Sequence, residues 1–186
     1  DIDAGTQLLL KGNVFSGQTV TSGLSSADID LHAGTALVVD DSGLLVGTGS
    51  HSTISLDSSQ DVTLGGSVAA KAGKVLDNVD IDAGRNVTLS GSVEAGTITI
   101  DAGTSISKDG GITGDAETRL IASTGNISLT TGDFGGNIML TDATLTAPAS
   151  NAEVQLSALG GHIQQVQGTD RKSTRLNSSH VKRSRM

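Results

Sequence analysis

Apolar and small polar residues alternate along most of this chain in short runs, and each run is closed by a glycine-bearing corner. The clearest stretch is Val79–Gly103, VDIDAGRNVTLSGSVEAGTITIDAG, in which Val79–Gly84 returns nineteen residues later as Ile98–Gly103. Alternation of period two predicts strands with one face buried, and the glycines predict turns. Ile81, Val87, Leu89, Val93, Ile98 and Ile100 are expected to point inward and Thr88 outward. A unit of short strands and turns is too small to bury its own apolar side, so it must stack on copies of itself.

The copies can be followed along the chain. Asp1–Gly17 set against Asp80–Gly96 matches at nine of seventeen positions, and Gln60–Val68 against Arg85–Val93 at six of nine. Weaker copies begin near Asp28, Ile54, Leu120, Ile138 and Val154, giving about eight rungs with early spacings near 25 to 27 residues and later ones of roughly 16 to 21. Extra turn residues are placed around Asp41–Ser52 and Ala69–Asn78. The resulting expectation is an all-β chain folded as a right-handed parallel β-helix, a solenoid, since crossovers between parallel strands are right-handed. Gly5, Gly34, Gly84, Gly103 and Gly125 mark its structural turns. Gly5, Gly84 and Gly103 each follow an Asp-Ala pair and are expected at positive φ.

Composition agrees with a narrow aliphatic interior. Glycine is 25 of 186 residues, there are two Phe, and Tyr, Trp and Cys are missing. No run shows sustained helical spacing; Ala69–Leu76 comes nearest, and Gly73 argues against it.

The carboxy-terminal end differs in kind. Asp170–His180, DRKSTRLNSSH, resembles the translation of a common high-throughput sequencing adapter. Residues 1–169 are therefore read as the β-helix repeat fragment, and 170–186 as a non-native-looking tail expected to be disordered. The tail holds six of the twelve Lys and Arg and one of the twenty acids, leaving 1–169 with a net charge of −13. So acidic a body repels phosphate backbones, which disfavours nucleic-acid partners. The chain opens at Asp1 inside a unit, carries no signal peptide and no apolar run that would span a bilayer, and is read as a piece of a longer open reading frame.

The pattern at 79–93 and 98–106, an apolar-x-Ile-Asp-Ala-Gly followed by alternating Val, Thr and Leu up to the next glycine, resembles the repeats of filamentous-haemagglutinin-like adhesins. These are exoproteins of two-partner secretion in Gram-negative bacteria. The resemblance covers about residues 1–169 and is strongest at 79–131. It implies a right-handed parallel β-helix, secretion to the cell surface through an outer-membrane transporter, and a structural and adhesive role towards a host-cell or abiotic surface. The chain carries neither the family's amino-terminal secretion domain nor a toxin-like carboxy-terminal domain.

Chemistry-bearing motifs are sparse. GxSxG, phosphate-loop, HExxH and CxxC patterns are missing, and no cofactor is expected. His32, His51 and His162 are scattered, and the triplets at Asn86–Thr88 and Asn126–Ser128 fit glycosylation acceptors that arise by chance in a Ser/Thr-rich chain. Asp3, Asp30, Asp57, Asp82 and Asp101 form a candidate carboxylate ladder. If it stacks, its members lie about 4.8 Å apart and either cap turns or hold calcium weakly. A polysaccharide-binding or polysaccharide-cleaving β-helix is the alternative to an adhesive one. Cleavage wants clustered carboxylates and aromatic platforms, and outside the tail the chain offers only Arg85 and Arg119 and no Tyr or Trp, so no enzyme is expected. Ice binding would need Thr-x-Thr on every rung, whereas only Thr97–Thr99 and Thr144–Thr146 supply it. Open strands at both ends suggest end-to-end self-association.

Overall fold

Short strands that alternate Val, Ile and Leu with Ser, Thr and Asp leave one apolar side to cover, and each finds its cover in the unit before and the unit after. The computed structural model describes residues 1–17, 27–48, 51–70, 77–103, 110–132 and 135–166, and these fold as a parallel β-helix with three sides. The first sheet stacks β1 (Ile2–Ala4), β4 (Ile29–Ala33), β7 (Thr53–Ser58), β10 (Asn78–Ala83), β13 (Thr97–Ala102), β16 (Ile127–Thr131) and β19 (Val154–Ala158). The second stacks β2 (Gln7–Leu10), β5 (Ala36–Val39), β8 (Asp61–Leu64), β11 (Asn86–Leu89), β14 (Ile112–Gly114), β17 (Ile138–Thr141) and β20 (Ile163–Val166). The third stacks β3 (Asn13–Gly17), β6 (Leu44–Thr48), β9 (Ser67–Ala70), β12 (Ser92–Ala95), β15 (Arg119–Ala122) and β18 (Thr144–Thr146). The described residues contain no helix. The adapter-like segment 170–186 lies outside the described residues.

Pairing follows the sequence repeat. Val79 pairs with Ile98 and Ile81 with Ile100, the nineteen-residue return, while Asp61–Leu64 pairs with Asn86–Leu89. The expected inward set is buried: Ile81, Val87, Val93, Ile98 and Ile100 have no exposed surface and Leu89 almost none, whereas Thr88 points to water. Inside, like stacks on like. Leu31, Leu56, Ile81, Ile100 and Leu129 form one column, and Leu37, Val62, Val87 and Ile112 another. The corners continue the ladder, since Gly34 N–H donates to the Ala4 carbonyl at 2.8 Å and Gly84 N–H to that of Ser58 at 2.8 Å.

Two expectations need correction. The stack has six complete rungs and a seventh built from β19 and β20, about 30 Å in all, rather than eight. Leu120 lies in β15 and Ile138 in β17, so they are the third and second sides of rungs already begun. All three sides carry the same alternation, so a strand's pattern does not tell which side it occupies. The later rungs are accordingly long, with Ile98 paired to Ile127 and Ile127 to Val154. The nineteen-residue rung is the short one, because Gly96 alone separates β12 from β13.

The second correction concerns glycine. Positive φ occurs at Gly103 (69°) and Gly135 (99°) among the described glycines, and not at Gly5, Gly34, Gly84 or Gly125. Close approach explains most of the others. A Cβ on Gly34 would land on the Gly5 carbonyl, and one on Gly91 on the Gly66 carbonyl of the rung before. Adding that Cβ is expected to cost about 1–3 kcal/mol, so Gly91→Ala should lower the denaturation midpoint clearly. Gly12 stands at the equivalent corner of the first rung with nothing within 4 Å of the same position. Gly12→Ala should therefore leave the midpoint nearly in place; equal effects of the two substitutions would contradict the close-approach account.

One ladder bond is made by proxy. At the end of β14 the Asp115 N–H does not reach the Leu89 carbonyl in the way that Ser90 N–H reaches that of Leu64 at 2.8 Å. Instead the buried Thr118 hydroxyl accepts from Asp115 N–H at 3.0 Å and donates to the Leu89 carbonyl at 2.7 Å. Thr118→Val keeps the shape and strands the buried Leu89 carbonyl and the half-buried Asp115 N–H, a loss of about 2–6 kcal/mol at roughly 1–3 kcal/mol for each unpaired group. Thr118→Ser should recover most of that loss, and equal melting of the Val and Ser variants would show that the hydroxyl relay carries no weight.

Candidate functional site

With the inward positions committed to the core, any binding chemistry rests on the outward positions of the three sheets. Each side carries its own.

The first side is acidic. Asp57, Asp82 and Asp101 stack in direct register across β7, β10 and β13, as a carboxylate ladder requires. Asp3 heads the same column but is separated from Asp57 by His32, and Asp30 falls outside it. Asp3 lies opposite His32, and His32 opposite Asp57, to which its Nδ1 bonds at 3.0 Å. Asp30 belongs to a neighbouring column with Ser55 and Asp80. The cause is local: rung two reads Asp28-Ile-Asp-Leu-His-Ala-Gly where rung one reads Asp1-Ile-Asp-Ala-Gly. The extra Leu-His pair preserves the alternation but moves Asp30 two positions back, leaving His32 in the ladder. Among the described residues no group of three His, Asp or Glu side chains has the geometry to hold a metal ion.

Crowding shows in the carboxyls themselves. Loss of hydration, then the negative charges of Asp101, Asp82 and Asp57, hold Asp80 above the usual carboxylate range. Asp101 is likewise raised by loss of hydration; a bond from the Thr130 hydroxyl opposes the shift, and the charge of Asp82 adds to it.

The second side is mixed, with Leu9 and Met139 exposed towards its two ends and polar groups between them. Asp61 receives a bidentate contact from Arg85, with Nε to Oδ1 at 2.9 Å and a second bond from the outer guanidinium nitrogen, and a bond from Asn86 Nδ2 at 2.9 Å. The Arg85 bond is the main reason that the Asp61 carboxyl lies below its ordinary range. Thr63, Thr88 and Thr113 stand in one outward column. Thr97–Thr99 falls on the first side and Thr144–Thr146 on the third, so the two Thr-x-Thr runs do not share a face and form no ice-binding grid.

The third side carries a mixed outward column headed by an exposed aromatic ring. Phe15, Val46, Ala69, Glu94, Ile121 and Thr146 follow one another in register, and Phe15 is 65 % exposed. Arg119 is also outward here, beside Ser92 and Thr144.

Sequence reasoning missed the asparagines and aspartates of the corners. Asn86, Asn126 and Asn137 accept the N–H groups of Gly111 (3.2 Å), Glu153 (2.9 Å) and His162 (2.8 Å) on the following rung. Asp28 does the same for Thr53 at 3.2 Å, and the buried Asp77 accepts from Ser52 at 3.1 Å. The side chains of both glycosylation-type triplets are thus held between rungs. A readable signal was there, because Asx residues just outside a strand favour bonds to nearby backbone. His51 and His162 contribute backbone carbonyls to the stack, to Ala27 and Ile138.

No family model matches this chain, nor does any curated protein or solved structure.

The acidic side sets a pH dependence. Asp80 and Asp101 have folded-state values above their unfolded ones, so the stability they confer is full below the unfolded value of about 4 and is lost as pH rises through the raised folded values. Asp61 acts oppositely, its contribution fading only as pH falls through its lowered value. The melting midpoint should therefore rise on acidification from pH 7 to about 4.5. Asp80→Asn should raise it at pH 7 and change it less at the acidic end. A midpoint that falls steadily with acidification, in both proteins alike, would show that the carboxylate column does not strain the fold.

Proposed function

We propose that this chain is a structural and adhesive repeat module of a large, secreted or surface-exposed bacterial adhesin of the filamentous-haemagglutinin kind, with no catalytic role. The observation that supports this reading most is the separation of duties along every strand. Val87 is buried in the core while Thr88, beside it, faces water, and the same alternation runs through strands of all three sides. Such a shaft can change its surface without changing its fold, which suits a fibre that holds a sticky face away from the cell. A cysteine-free chain passes an oxidising compartment without mispairing, in keeping with export through an outer-membrane transporter.

The adhesive face in this reading is the third side, where the exposed ring of Phe15 leads an outward column that also holds the half-buried Val46 and Ile121. Exposed apolar patches are the usual sites of contact with other surfaces. Beads coated with the protein should be retained on epithelial cells or an abiotic apolar surface, and Phe15→Ser with Ile121→Ser should cut retention severalfold without moving the melting midpoint. Retention no better than that of albumin-coated beads would sink the adhesive reading. Release of oligosaccharides from an acidic polysaccharide would instead favour the carbohydrate-directed alternative.

A further inference from the structure

We draw no further inference here: the strongest candidate, the carboxylate column of Asp57, Asp82 and Asp101 on the first side with Asp80 in the column beside it, is an acidic cluster, and no second observation in the structure points to what would bind it.

Discussion

A rung of this molecule buries almost nothing by itself. Its apolar side chains leave water only when the next rung lands on them in register, and that landing is what the parallel ladder enforces. Hydrogen bonds running from rung to rung set the spacing, and the spacing brings Leu31, Leu56, Ile81, Ile100 and Leu129 into one continuous column. Everything else in the fold accommodates that constraint. Corners are pared to glycine so that the ladder can pass through them, Asx side chains pick up N–H groups that a corner would leave unpaired, and at Thr118 a hydroxyl takes the place of a direct bond. Where the constraint falls away, as at Ile2 and Ile163, the core columns are left half covered.

The same constraint explains why the outer faces can differ so much. Strand geometry commits every second residue to the core and leaves the others without a folding task. On the first side that freedom has been used to stack carboxylates that repel one another, at a cost that the core absorbs. On the second it places a guanidinium over a carboxylate, and on the third it leaves an aromatic ring in water. None of these choices disturbs the column behind it.

Much of this was legible in the sequence. The Val79–Gly103 stretch told which residues face inward, and Val87 and Thr88 divide as the alternation required. The match of Asp1–Gly17 to Asp80–Gly96 put Leu10, Gly12 and Val14 in the columns and corners that Leu89, Gly91 and Val93 occupy. What alternation could not supply was the side of the triangle to which a strand belongs, which is why Leu120 and Ile138 read as rung starts. Nor could it resolve an insertion of even length: the added Leu31-His32 leaves every residue on its proper face while shifting Asp30 out of the ladder. Glycine was ambiguous for a different reason. A glycine required by positive φ and one required by a carbonyl overhead look alike in a sequence, and only the stacked backbone separates Gly103 from Gly34. Thr118 lies furthest from view, since its role depends on where β14 happens to stop.

The direction of the ladder bonds has a mechanical meaning. They run along the long axis of the stack, and the described chain enters at one end and leaves at the other. Tension applied between those ends therefore loads one terminal strand at a time, in peeling, while the rungs behind it keep their own contacts. A molecule built this way yields by unspooling, dissipating work over a long extension and recovering each rung against the template of the one that stayed folded.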